Sequence, residues 1–295
     1  MLIHTLDLNF QNTAEAIAAY LVIGPTGPVL VETGPGSTLP VLLERLAALG
    51  VRPADIAHVL VTHIHLDHAG AAGWWARQGA TVYVHHVGAP HLIDPSKLLA
   101  SATRIYGAQM GPLWGEFLAA PAERVCVLHD GEAVEAGGLR FVAHDTPGHA
   151  RHHLAYQLED MLFTGDVGGI RLNARPYLQV PMPPPEFELE VWLASVEKLR
   201  ALRCARLYLT HFGAVEKVDD HWAELLALLP QAPAVVRAAL QHGADRAAVL
   251  AQFTEWEVER RQTAHLAPDD MRPYQFVNPL DMSVDGMMRY WSKPR

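Results

Sequence analysis

Apolar runs broken by turn signals open the chain. Ala19 to Gly24 is a short apolar stretch ended by Gly24-Pro25-Thr26-Gly27-Pro28, and Val29-Leu30-Val31 follows at once. That pattern predicts a hairpin. From Thr38 to Leu49, the apolar residues Leu39, Leu42, Leu43, Leu46 and Leu49 recur at helical spacing, with Ser37 or Thr38 as cap and Gly50 as stop. Ile56 to Thr62 is apolar and β-branched and predicts a buried strand. Ala69 to Gln78 reads as a helix and Thr81 to His85 as a strand. Strand signals return at Val125 to Leu128, Leu139 to Ala143, His153 to Leu158 and Met161 to Thr164. After the Pro-rich stretch Pro181 to Pro185, Phe187 to Leu202 is helical by periodicity. Ala205 to Thr210 predicts the last strand.

Two regions depart from this alternation. Residues 88–124 hold Pro90, Pro95, Pro112 and Pro121 around a helical pattern, Ser96 to Tyr106, and are expected to form an insertion over one face of the core. Beyond Val218 the strand signals stop. Asp219 to Leu229, Pro233 to Gln241, Asp245 to Trp256 and Met282 to Trp291 are all helical patterns. The expected organisation is a mixed α/β core over residues 1–218, carrying the insertion, and a helical C-terminal appendage over 219–295. There is no solenoid-length repeat and no low-complexity tract.

Composition narrows the function classes. The chain has 295 residues, 50% hydrophobic and 19% charged, which fits a globular fold and not a disordered one. No apolar run approaches the roughly 18 residues that a spanning helix needs, so no membrane association is expected. The N-terminus has neither a basic segment nor a small-residue cleavage site. Cys126 and Cys204 are expected as free thiols, consistent with a reducing cytoplasm. The net charge is −9, and the four lysines, Lys97, Lys198, Lys217 and Lys293, are scattered. Sequence-independent phosphate binding needs clustered cations, so the expected partner is a small-molecule substrate and not nucleic acid. A homodimer is expected from the apolar surface of the C-terminal helices and the Trp-containing segments.

The anomaly is 17 histidines against 23 lysines plus arginines. Four candidate ligands fall together in Thr62-His63-Ile64-His65-Leu66-Asp67-His68, directly after a buried strand. His63 and His65, two apart in extended backbone, point to the same side. Three more segments repeat the theme of a strand followed at once by a ligand: Thr146-Pro147-Gly148-His149, Leu162-Phe163-Thr164-Gly165-Asp166 and Leu209-Thr210-His211. Five histidines and two aspartates can hold two metals with a shared carboxylate.

The His63-x-His65-x-Asp67-His68 motif, with His149, Asp166 and His211 in order, resembles the metallo-β-lactamase-fold hydrolases. The resemblance covers roughly residues 15–215 and includes Glu32-Thr33-Gly34, where most members carry Asp-Thr-Gly. It implies a four-layered αββα sandwich with the site at one edge between the two sheets. It also implies that His63, His65 and His149 bind one metal, that Asp67, His68 and His211 bind another, and that Asp166 bridges. His65 stands where flavodiiron proteins carry glutamate, and no cysteine occupies a ligand position as in some true β-lactamases. The chain resembles a small group of prokaryotic members distantly similar to glyoxalase II and to lactonases.

The implied activity is dinuclear, metal-dependent hydrolysis of a small ester, thioester or lactone by a bridging water activated between the ions, with Asp67 both ligand and hydrogen-bond acceptor from the nucleophile. A small-molecule phosphodiesterase using the same centre is the alternative, followed by a mononuclear iron persulfide dioxygenase. Zinc is the first expectation for the metals, with iron or manganese also compatible with a mixed His/Asp set. No Gly-x-Ser-x-Gly elbow offers a serine nucleophile. Arg104, Tyr106, Arg171 and Tyr177 are candidates for binding a substrate carboxylate or polarising a carbonyl, weighed against structural roles. His85, His86, His91, His144, His152 and His153 read as structural, with His91 a candidate pocket residue. Trp74 and Trp75 read as core or interface.

Overall fold

The structure is a computed structural model and describes residues 1–172, 177–267 and 271–293. Two six-stranded sheets form its centre. The first contains β1 (Leu2–Asp7), β2 (Ala18–Gly24), β3 (Gly27–Val31), β4 (His58–Leu60), β5 (Thr81–His85) and β6 (Val125–Leu128), in that spatial order. β1 to β3 are antiparallel, and β3 to β6 run parallel. The expected hairpin is β2–β3, with Gly24 opposite Gly27 across a Pro25-Thr26 loop.

The second sheet contains β7 (Ala133–Ala136), β8 (Leu139–Asp145), β9 (Leu154–Leu158), β10 (Met161–Phe163), β11 (Arg206–Leu209) and β12 (Gly213–Val215). It is antiparallel except where β10 and β11 run side by side.

The side-chain alternation of the strands generates the layers. One set of inward residues, including Tyr20, Val31, Phe141, Tyr156, Phe163 and Tyr208, fills the space between the sheets. The opposite face of the first sheet (Leu21, Leu30, Val59, Val82) is covered by α1 (Leu39–Ala48), α2 (Leu66–Ala69), α3 (Ala72–Arg77) and α4 (Ala89–Ile93). Trp75, fully buried on α3, is core. The opposite face of the second sheet (Ala155, Leu162, Leu207, Leu209) packs under further helices. α5 (Ser96–Tyr106) and α6 (Met110–Trp114) lie within the insertion, so these covering helices are α7 (Leu189–Arg200), α8 (Val218–Gln241), α9 (Arg246–Thr263) and, beyond α10 (Arg272–Val277), α11 (Leu280–Ser292). The result is the four-layered αββα sandwich, with a helical C-terminal region.

The C-terminal helices share one apolar cluster with the sheet. Trp192 and Val196 of α7, Trp222 and Leu225 of α8, Phe253 of α9 and Met287 of α11 all join it. Contrary to the expectation that no stretch approaches spanning length, α8 is long and apolar enough to cross a membrane by length and composition; in this fold its apolar stripe packs against the second sheet. Residues 268–270 and 294–295 of the helical stretch lie outside the described residues.

Three elements differ from expectation for physical reasons. The strand expected over 56–62 pairs only from His58 to Leu60, because the Thr62 amide and hydroxyl leave the ladder to donate to the Glu32 carboxylate. The helix expected over 69–78 is two, α2 and α3. Between them the backbone bonds sideways: the His68 carbonyl accepts from the Thr33 amide, and the Ala71 amide donates to the Gly34 carbonyl. Conversely, the patterns 219–229 and 233–241 are one helix that includes Pro230 and Pro233. Its buried stripe, Trp222, Leu225, Leu229, Ala232, Val236 and Ala239, runs through both prolines. Burying Trp222, Leu225, Leu229 and Val236, at roughly 1.5–3 kcal/mol each, offsets two proline costs of about 3 kcal/mol each.

Candidate metal centre

The seven predicted residues converge at one edge of the sandwich. His63, His65, Asp67 and His68 lie on the connection leaving β4 and on the first turn of α2. His149 comes from the β8–β9 loop, Asp166 follows β10 and His211 follows β11. Two glycines make the approach of these loops possible. At Gly165 (φ 51°) a Cβ would stand 2.6 Å from both Thr62 Oγ1 and His153 Nε2. At Gly148 (φ 136°) it would stand 2.3 Å from the backbone of Trp192. Only a residue without a side chain lets the chain pass there in that conformation. Trp192, fully buried, donates its indole N–H to the Val167 carbonyl at 2.9 Å, so α7 braces the Asp166 loop as well as the His149 loop.

The donor atoms sort into two groups. His63 Nε2 and His149 Nε2 lie 2.9 and 3.0 Å from His65 Nδ1. On the other side, His211 Nε2 stands 3.4 Å from Asp67 Oδ2, and His68 Nε2 stands 3.7 Å from the same oxygen. Asp166 lies between. Its Oδ1 is 3.2 Å from His68 Nε2 and 3.3 Å from His211 Nε2, while its Oδ2 is 3.3 Å from His149 Nε2.

Outer partners fix which nitrogen each ring presents. His149 Nδ1 donates to the Pro181 carbonyl at 2.8 Å, and His211 Nδ1 to the Ala16 carbonyl at 2.8 Å. His68 Nδ1 meets Glu32 Oε1 at 2.9 Å, and His63 Nδ1 meets Thr62 Oγ1 at 3.1 Å. This is the outer-shell arrangement that orients metal-binding imidazoles. It leaves three buried atoms in no aligned hydrogen bond, although they face one another at 3.2–3.3 Å: His68 Nε2, His211 Nε2 and Asp166 Oδ1. Orphaned polar atoms in a core cost on the order of 1–3 kcal/mol each. Three such atoms clustered among nitrogen and carboxylate donors fit divalent transition metals.

The electrostatics of the two groups are opposite. Burial lowers the pKa of His65 to about 4, with His149 adding to the shift. Burial also drives His63 far below the ordinary histidine value, with His68 and the other rings reinforcing it. For His68, burial opposes the charge but is outweighed by Asp166, Asp67 and Glu32, so its pKa rises. His211 rises too, against burial, through Asp166 and Asp67. Burial disfavours the Asp67 carboxylate, yet His68 and His211 overcome it and hold Asp67 at about 2.

Glu32 is the residue whose role the sequence concealed. It is buried, sits at φ 64°, and accepts from Thr62, His68 and Thr210, linking the ends of β4 and β11 to the His68 ring. Its only signal was the Glu-Thr-Gly motif.

Of the candidate pocket residues, Tyr106 and His91 line a cavity of about 450 Å³ that opens onto His65, Asp67, His149 and Asp166. Arg104, Arg171 and Tyr177 do not. Arg104 is exposed on α5. The Arg171 amide donates to the His211 carbonyl, but its guanidinium turns to Glu224 and His221. The Tyr177 hydroxyl donates to the Glu257 carboxylate, beneath the C-terminal helices. His152, read as structural, also lines the cavity; its Nε2 is 3.3 Å from Glu186, another lining residue. His85 pairs with Asp145, His144 with Gln157 and His153 with Thr146, while His86 stacks on His129.

Comparison with known proteins places the chain in a family. Residues 12–211 match the family model of the metallo-beta-lactamase superfamily, and the chain belongs to that superfamily. The metallo-beta-lactamase fold-containing protein ST1585 of Sulfurisphaera tokodaii is 24% identical over 233 residues, 76% of this chain and 84% of that protein. An atrochrysone carboxyl ACP thioesterase of Aspergillus fumigatus is 26% identical over 208 residues, 70% of this chain but 39% of that protein, so the chain spans well under half of it. The crystal structure of the metallo-beta-lactamase family protein TTHA1429 from Thermus thermophilus superimposes with a TM-score of 0.70 at 23% identity, covering 98% of this chain and 92% of that one.

Proposed function

We propose that the protein is a two-metal hydrolase of small acyl substrates, an ester, thioester or lactone. The observation that carries this reading is Asp166, whose two oxygens face different histidine groups at 3.2–3.3 Å. His63, His65 and His149 would hold one ion, Asp67, His68 and His211 the other, and Asp166 would join them. Two divalent ions held there, zinc by first expectation, would supply a water acidified toward neutrality and a Lewis acid for the scissile carbonyl.

The chain's own residues do the rest. Asp67 remains ionised across the physiological range and faces the cavity, so its carboxylate accepts a hydrogen bond from the attacking water and orients it. Glu32, Ala16 and Pro181 hold the imidazoles so that the site is formed before substrate arrives. The thioesterase among the relatives supports acyl chemistry on this fold. Among the described residues, no arginine lines the cavity and Lys97 is its one lysine, which favours an acyl substrate over a phosphodiester.

The test compares kcat/KM for thioester, lactone and aryl phosphodiester panels on zinc-loaded protein, with iron- and manganese-loaded protein alongside. Metal-dependent acyl turnover exceeding phosphodiester turnover is expected. Phosphodiester cleavage without acyl turnover, or sulfur oxidation by the iron form alone, would reject the reading.

A further inference from the structure

The cavity over the metal centre has walls that the sandwich itself does not supply. Phe10 comes from the β1–β2 connection, Leu98 and Ile105 from α5 and Trp114 from α6. Phe276 and Met282 come from α10 and α11, across the opening. Phe10 stacks on Trp114 at 5.6 Å between ring centroids, and Trp114 meets Tyr106 edge-on at 5.1 Å. The insertion and the C-terminal helices thus wall an open, mostly apolar cavity, onto which Asp67 and Asp166 emerge.

From this we infer that the cavity is an acyl-chain pocket that selects apolar acyl groups of medium length. This inference rests on the hydrolase reading for the reaction but not for the binding. Size sets the length. At roughly 30 Å³ for each non-hydrogen atom, as for liquid water, 450 Å³ holds about 15 such atoms. With the reacting carboxyl and leaving atom placed beside Asp67, about eight to twelve carbons remain for the chain. Chemistry sets the polarity. The mostly apolar wall rewards each methylene it removes from water, while Lys97, Glu186, Gln275 and Asn278 are among its polar exceptions.

Among the described residues, Tyr106 is the one phenol on the wall. Its hydroxyl contacts Met282 Sδ at 3.4 Å, a weak acceptor that a substrate oxygen would replace. Burial, with Asp67 and Asp281 behind it, raises its pKa, so it stays a donor at physiological pH.

The test uses zinc-loaded protein and calorimetric titration with straight-chain carboxylates from acetate to hexadecanoate, which needs no turnover. Affinity is expected to rise about three- to fourfold with each methylene and to stop rising between about eight and twelve carbons. Leu98→Trp should shift that limit to shorter chains and Met282→Ala to longer ones, with metal content unchanged. Two variants are used so that a folding failure in one leaves the other to decide. Affinity independent of chain length, a rise unbroken through hexadecanoate, or an unmoved limit in the folded variants would overturn the inference. Chain-length-dependent binding without hydrolysis of any ester, thioester or lactone would instead leave the pocket standing and remove the proposed function.

Discussion

The two halves of the metal centre are built from the same residue type and behave oppositely. On one side His63, His65 and His149 press against one another, and burial outweighs the nearby Asp166 and keeps all three neutral. On the other, His68 and His211 stand among Asp67, Asp166 and Glu32, which raise their proton affinity. The first half is a ready-made set of neutral nitrogen donors. The second concentrates negative charge, and it holds two orphaned nitrogens and an orphaned carboxylate oxygen. A cation is what the second half lacks electrostatically, and what the first lacks only as a coordination partner. The second half should therefore depend more steeply on its outer carboxylate and, because its two rings must give up protons to bind a metal, more steeply on pH near neutrality.

The largest expected effect comes from removing the residue that belongs to both halves. Asp166→Ala should release both ions and lower kcat/KM by more than roughly a hundredfold, beyond what loss of an outer partner usually costs. His211→Ala should empty only the second half and His65→Ala only the first. Elemental analysis of each variant after dialysis, together with its kinetics, checks this. Equal loss of both ions from His211→Ala would erase the distinction between the halves.

Next in size is Glu32→Gln, which keeps the volume but removes the charge behind His68. Metal affinity of the second half should fall about 10- to 100-fold. The first half should change little. Competition with a chromophoric chelator reads the two affinities.

A separate effect, on stability and not on metal affinity, appears in chelated protein as opposite pH slopes. In the fold His65 takes a proton only near pH 4, whereas the unfolded chain does so near 6.5. Its contribution is thus fully present above 6.5 and is lost as pH falls toward 4, by up to about 3 kcal/mol. His211, raised in the fold, contributes stability that is present below 6.5 and lost as pH rises through its folded value. In urea unfolding across pH, His65→Gln should flatten the acid limb and His211→Gln the neutral limb. Parallel changes from both would contradict the assigned electrostatics.

What the sequence made legible follows the same division. All seven convergent residues stood in strand-then-ligand segments, because a strand end fixes direction and a short loop leaves little freedom. The outer partners were mostly illegible. Ala16 and Pro181 act through backbone carbonyls that any residue supplies. Glu32 showed only as a departure from Asp-Thr-Gly, without a role. β1, β7 and β12 were missed: β7 and β12 are four and three residues long, too short for a period to register. Arg171 and Tyr177 looked like pocket residues from their place in the chain. In the fold, their polar ends pair beneath α8 and α9.

The most direct measurement is the stoichiometry of transition metal bound per chain, read by elemental analysis after zinc loading and gel filtration. The account predicts close to two ions per chain for the wild type and close to one for His211→Ala. One ion or fewer in the wild type, or two in His211→Ala, would contradict a dinuclear centre joined by Asp166.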